Sequence, residues 1–181
     1  GAAGVMIEDQ KWPKKCGHTK GKDVVDLDEA NSRIKAAVDA REYGNKDILI
    51  MARTDAIATR GLDDAIKRMQ SFSKLGVDIL FIEAVKNKED MKRIIKEVPG
   101  HHMLNLIEDG ETPLLEINEI EEIGYKIAVM PLTLMSASVK TMQECLNNIK
   151  NKVYNKNVSK FSDLRDIVGF NEYYDIEDKY K

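Results

Sequence analysis

Five short runs of almost unbroken apolar residues, separated by segments of helical periodicity, constrain this chain more than any other feature. They are Gly4–Glu8 (GVMIE), 47–54 (DILIMART), 78–83 (DILFIE), 102–107 (HMLNLI) and 126–132 (KIAVMPL). A strand with one wet face alternates polar and apolar residues, whereas a strand covered on both faces reads as continuous apolar sequence. These runs are of the second kind. Alternating with helices, they predict a parallel α/β fold.

The intervening segments have sensible helix ends. Asp26 and Glu29 form a capping-box-like start for a helix with Ala30, Ile34, Ala37 and Val38 on one face, which Gly44 ends. Leu62, Ala65, Ile66, Met69 and Phe72 make the next stripe, followed by Gly76. Asn87 caps a helix bearing Met91, Ile94, Ile95 and Val98, and Asn118 with Glu121 starts a short one ended by Gly124. Met135, Val139, Met142, Leu146 and Ile149 form a last long stripe, which places Cys145 in the core.

Two architectures satisfy this alternation, an open doubly wound sheet and a (β/α)8 TIM barrel. A barrel needs eight units over about 250 residues, and this chain has 181 residues and five units. The expectation is an incomplete barrel, its C-terminal part spanning 1–150 and about three units short. Residues 151–160 are polar and basic and read as a linker; residues 162–168 predict a short helix closed by Gly169, before Tyr173, Tyr174 and a charged end.

A formal net charge of −3 with both signs interspersed gives no support for a general nucleic-acid binder. No apolar run approaches the roughly 20 residues of a membrane span, and no signal-peptide pattern is visible. Cys16 and Cys145 are too few and too far apart for a disulfide framework, so a reducing cytoplasm is the expected compartment.

Ligands of parallel α/β folds sit at the carboxyl ends of the strands. Those ends deliver Glu8 and Asp9, then Arg53, Thr54 and Asp55, then Glu83, then Asn105, then 131–133. Arg53 either pairs with these acids or grips a ligand. The loop at 10–25 is long enough to be a lid or a binding loop. It carries Lys14, Lys15, Cys16, Gly17 and His18, and positive neighbours favour a thiolate over a thiol. His18 orients a substrate or tunes Cys16. His101 and His102 lie at a strand start, away from this rim, and read as structural. No Cys/His spacing fits zinc, whereas a rim carboxylate such as Glu8 suits Mg²⁺.

Taken together, 4–10 (GVMIEDQ), 14–18 (KKCGH), 50–56 (IMARTDA), 80–84 (LFIEA), 105–113 (NLIEDGETP) and 131–134 (PLTL) resemble the isocitrate lyase/phosphoenolpyruvate mutase superfamily. The resemblance runs the length of the chain in order. It implies a (β/α)8 barrel, a Mg²⁺-bound 2-oxo acid (Mn²⁺ as a substitute), a gating loop at 10–25, and a homotetramer in which the C-terminal helix within 151–181 is swapped between subunits. It implies that Cys16 is the acid/base that protonates the departing enolate-like carboxylate, with Gly17 and His18 beside the substrate. By the same resemblance Arg53 holds a substrate carboxylate, Glu83 stands near the 2-oxo acid, Asn105 binds the second carboxylate, and Glu8 belongs to the metal shell. The implied activity is a carbon–carbon lyase of 2-hydroxy polycarboxylates. Ile107 and Ser136 depart from the methylisocitrate lyase pattern, which commonly has a threonine and a nearby arginine there, and 105–113 looks more like the dimethylmalate lyase and oxaloacetate hydrolase branch. The family's principal metal aspartates are expected upstream of residue 1. The remaining alternatives are oxaloacetate hydrolysis on the same site and a catalytically incomplete polypeptide acting through association.

Overall fold

The computed structural model describes residues 1–17 and 21–181. Strand β1 (Gly4–Glu8) is followed by α1 (Leu27–Tyr43), β2 (Leu49–Thr54), α2 (Ile57–Arg60), α3 (Leu62–Lys74), β3 (Ile79–Ile82), α4 (Lys88–Glu97), β4 (His101–Asn105), α5 (Ile117–Ile123) and β5 (Ile127–Val129). Helices α6 (Thr133–Lys150), α7 (Phe161–Ile167) and α8 (Phe170–Asp178) complete the chain. All five apolar runs are strands; the first keeps its bounds, β4 begins one residue before its run and ends two short of it, and the other three are trimmed.

The strands pair in the order β1-β2-β3-β4-β5, every neighbour parallel. A doubly wound sheet reverses its order at a switch point. This one does not, and consecutive strands side by side are the wall of a (β/α)8 barrel. The fold is therefore α/β of the TIM-barrel type, present as five strands.

Side chains alternate across a strand, so each strand serves two faces. Ile50, Ala52, Leu80, Ile82 and Leu104 point to one face and pack with Ile34 and Val38 of α1, Ala65, Ile66, Met69 and Phe72 of α3, Met91 and Ile94 of α4, and Ile120 of α5. The intervening positions Met6, Met51, Ile79, Met103 and Val129 line a concave apolar cavity of about 410 Å³ on the other face. That second face carries the rim residues two positions further on.

Helix ends follow their local chemistry. Asp26 accepts the Glu29 amide at 2.8 Å and Asn87 accepts that of Asp90 at 2.8 Å. The box at Asp26 is not reciprocal, because the Glu29 carboxylate is taken by Arg33 at 2.5 Å. Asn118 does not cap α5; Glu116 stands at that position without a side-chain bond, and Asn118 lies exposed within the helix. Burial of Ile120 sets the frame of this short helix, and the cap follows from it. His102 is buried as expected, its Nε2 bonded to the Val98 carbonyl at 2.9 Å and its ring edge-on to Tyr125.

The chain divides into two compact units, Gly1–Thr133 and Leu134–Lys181, so α6 groups with the C-terminal helices where the sequence reading sets a boundary after Lys150. Within the second unit the stripe on α6 is present but uncovered, Met135 being 65% and Leu146 66% exposed. Cys145 is half-buried rather than core, since α6 has no buried residue. The tail holds two helices, not one, with Gly169 at φ 81° between them and Tyr173 and Tyr174 on the second. No helix among the described residues is long and apolar enough to cross a membrane.

Two outcomes follow for stability. Phe72→Ala, at a fully buried position, should cost about 3–5 kcal/mol in urea denaturation. Burial holds the His102 pKa below its ordinary value of 6.5, with the Val98 carbonyl opposing. The unfolded ring takes a proton at a higher pH than the folded one, so this contribution is complete above that value and is lost as pH falls below it. Stability between about pH 7.5 and about pH 5 should therefore drop more for the native chain than for His102→Phe; equal slopes would contradict this origin.

Candidate active site

Glu8 and Arg53 are register partners at the ends of β1 and β2, so both side chains leave the same, concave face. Glu83 follows Phe81 by two residues and Asn105 follows Met103 by two, which brings them to that face as well. Ala84 at φ 61° turns the chain just after Glu83, a left-handed conformation that a side chain adopts at a cost of order 1–3 kcal/mol.

The centre is Arg53. Its Nε and Nη2 hold both oxygens of Asp55 at 2.9 and 3.1 Å; Nη2 also meets Glu83 at 3.0 Å, and Nε lies 3.4 Å from Glu8. The guanidinium carbon sits 5.3 Å from the Phe81 ring centroid. Burial works against the Arg53 charge, but the hydrogen bond and charge of Asp55, with the charges of Glu83 and Glu8, outweigh it and raise the pKa above the usual arginine value. Lys14 reaches in from the loop to Glu8 at 2.8 Å.

Asn105 donates its Nδ2 to both Glu83 oxygens, at 3.3 and 3.4 Å. A carboxylate accepts and cannot donate, so this contact fixes the amide orientation and leaves Oδ1 facing away, buried and without a hydrogen bond. Glu8 Oε2 is likewise buried without a hydrogen bond.

The loop at 10–25 comes down on this cluster at Gly17, which is buried. A Cβ built there would lie 2.4 Å from Glu83 Cγ, 2.6 Å from Arg53 Nη2 and 2.9 Å from Asp55 Oδ1. No side chain fits; the backbone itself is seated on the ion pairs. Gln10 braces the descent by bonding both backbone groups of Lys15, and Lys22 donates to the Gly17 carbonyl. Cys16 stands exposed beside this seat, and it is not in a disulfide. His18 lies outside the described residues.

Glu8, Gly17, Arg53, Glu83 and Asn105 are thus one cluster, with Cys16 next to it. The sequence reading did not find the bracing role of Gln10 or the pair between Arg68 and Asp9 behind the cluster. Burial raises the Asp9 pKa, opposed by bonds from Thr54, the Asp55 amide and Arg68. A carboxamide directly after two strand-end acids was the available signal for Gln10; Arg68 gave none beyond interrupting an apolar stripe.

Mg²⁺ binds through one or two carboxylates, waters and ligand oxygens. Among the described residues no group of three His, Cys, Asp or Glu is placed to hold a metal. Glu8 offers one unbonded oxygen but is already faced by Lys14 and Arg53, so these residues do not by themselves assemble a Mg²⁺ centre.

Comparison with known proteins places the chain in a family. The family model described as phosphoenolpyruvate phosphomutase matches residues 1–150. A 2,3-dimethylmalate lyase of Eubacterium barkeri is 39% identical over 99% of this chain and 63% of its own length. A 2-methylisocitrate lyase of Aeropyrum pernix is 36% identical over 96% of this chain and 56% of its own. Among solved structures, oxaloacetate acetylhydrolase bound to 3,3-difluorooxalacetate superposes with a TM-score of 0.87 at 27% identity, over 98% of this chain and 61% of that one. The chain therefore spans less than two thirds of the length of these relatives. Matched in sequence along nearly its whole length and in the order of its barrel strands, the chain belongs to the phosphoenolpyruvate phosphomutase family, within the PEP mutase/isocitrate lyase superfamily.

Proposed function

We propose that this chain carries the gating loop and the substrate-facing rim of a carbon–carbon lyase acting on 2-hydroxy polycarboxylates of the dimethylmalate or methylisocitrate type. The observation that carries the reading is the seat of Gly17 against Arg53, Asp55 and Glu83, which fixes the backbone next to Cys16 beside the cluster. The names of the relatives above support the reaction class.

In this reading Glu83, buried on the rim, accepts the proton of the substrate 2-hydroxyl. The bond between C2 and C3 then breaks, leaving a 2-oxo acid and a carbanion of a monocarboxylate (dimethylmalate type) or dicarboxylate (methylisocitrate type), spread into its carboxylate as an enolate. Arg53 lies under the developing charge, the kind of preorganised stabilisation that contributes most to lowering a barrier. Cys16 gives its proton to the carbanion carbon, and general-acid help of this kind contributes about 10²–10⁴-fold. Asn105, whose Nδ2 bonds both Glu83 oxygens, holds that base in place. Were Mg²⁺ or Mn²⁺ held with further ligands, Glu8 would contribute a carboxylate to its shell, and the ion would supply positive charge to the substrate oxygens.

The exposed apolar residues of α6, α7 and α8 favour a second element of the reading, burial of these helices against further copies of the chain in a homotetramer. Light scattering with gel filtration decides this, a monomer at micromolar concentration being the contrary result. Oxaloacetate hydrolysis uses the same rim and is favoured by the oxaloacetate acetylhydrolase neighbour. Product analysis separates the two: a 2-oxo acid from a substituted malate, or oxalate from oxaloacetate.

Cys16→Ser should leave the thermal transition unchanged and lower turnover at least tenfold. Gly17→Ala, whose Cβ has no room on the cluster, should lower turnover by about 10²-fold because the loop cannot seat, with little change in melting temperature. Full turnover in either variant would remove the thiol and its loop from the mechanism.

A further inference from the structure

Arg68 heads the fully buried side chains of this chain by size, yet the chemistry above leaves it unused. It projects from α3, bonding Asp64 at 2.6 Å and Asp9 at 3.1 Å, while its Nη2 is buried without a partner. Replacing a buried ion pair by apolar residues of similar volume is often neutral or stabilising, so stability alone does not explain an arginine in an apolar helix stripe. Its position does. Asp9 Oδ2 also takes the Thr54 hydroxyl at 2.5 Å, and Oδ1 takes the Asp55 amide at 3.2 Å. The Asp9 backbone donates to the Arg53 carbonyl at 3.2 Å and accepts the Val25 amide at 2.9 Å. One aspartate thus ties the end of β1 to the end of β2 and to the returning arm of the loop that carries Cys16.

We propose that Arg68 and Asp9 form a buried positioning pair: Arg68 fixes the Asp9 carboxylate, Asp9 fixes the peptide of Asp55 and the loop anchor at Val25, and Asp55 in turn aims Arg53. Arg68 touches no substrate and is a positioning residue. The kinetic consequence rests on the lyase reading; the structural one does not.

The test compares the full chain with Arg68→Met and Arg68→Lys, following amide hydrogen exchange at Asp55 and Val25 alongside turnover. Arg68→Met should speed exchange at both amides at least tenfold and lower kcat at least tenfold with KM within threefold. Arg68→Lys, which keeps a cation beside Asp9, should restore both to within threefold of the native chain. Should Arg68→Met fail to fold, Arg68→Met combined with Asp9→Asn leaves no buried charge at position 9, Asp64 being partly exposed, and carries the same expectation. Native protection at Asp55 and Val25 in the variant overturns the proposal, and so does lost protection with unaltered kcat. Turnover is read in the protein with a complete barrel; its absence there would tell against the lyase reading separately, and the exchange comparison still decides the pairing.

Discussion

The Arg53 guanidinium, ringed by Asp55, Glu83 and Glu8, is the contact on which the rest of this molecule turns. Three carboxylates left together near the interior would repel one another, and a lone buried arginine would be costly to desolvate. Each makes the other tolerable. The cation lets acids from the ends of three different strands point to one place, and the acids hold the guanidinium in one orientation above Phe81. Gly17 then closes against a surface that exists because these charges have converged.

The sheet makes that convergence compatible with a core. Parallel strands in consecutive order have matching register, so the two-residue period that sends Ile50, Leu80 and Leu104 into the helix layer sends Met51, Ile79 and Met103 to the concave face. Continuing the period two residues past Met51 and Met103 yields Arg53 and Asn105, and two past Phe81 yields Glu83. Site and core are alternate readings of the same strands, which explains why both were legible in sequence. The apolar runs marked the strands, their last residues marked the rim, and Asp26 and Asn87 marked two helix starts by the chemistry of their side chains.

What sequence did not reveal lies where a residue's partner is distant along the chain. Arg68 interrupts an apolar stripe, and nothing local says that Asp9, on another element, waits for it. Lys14 reads as a neighbour of Cys16, yet its ammonium group lies on Glu8. The α6 stripe reads as core because periodicity records that a face is apolar, not what covers it, and within its own compact unit that face is open. Asn118 has the chemistry of a cap but lost the position to the frame imposed by Ile120. In each case a longer-range contact outranked a local preference.

The charge of the cluster also argues for what the loop does. Glu8, Asp55 and Glu83 face Arg53 and Lys14, leaving one negative charge in excess among these five groups. Arg53 belongs to the sheet, whereas Lys14 belongs to the loop and approaches Glu8 while Gly17 is seated. Without Lys14 the three acids would face Arg53 alone, two negative charges in excess, a rim that repels an anion rather than draws it. Lys14 on Glu8 and Gly17 on Arg53, Asp55 and Glu83 belong to one short stretch, with Cys16 between them. The charge that offsets the acids and the backbone seat beside the thiol are therefore supplied by one short segment. This gives a physical reason for the lysines and the cysteine to be consecutive in sequence rather than gathered from separate elements.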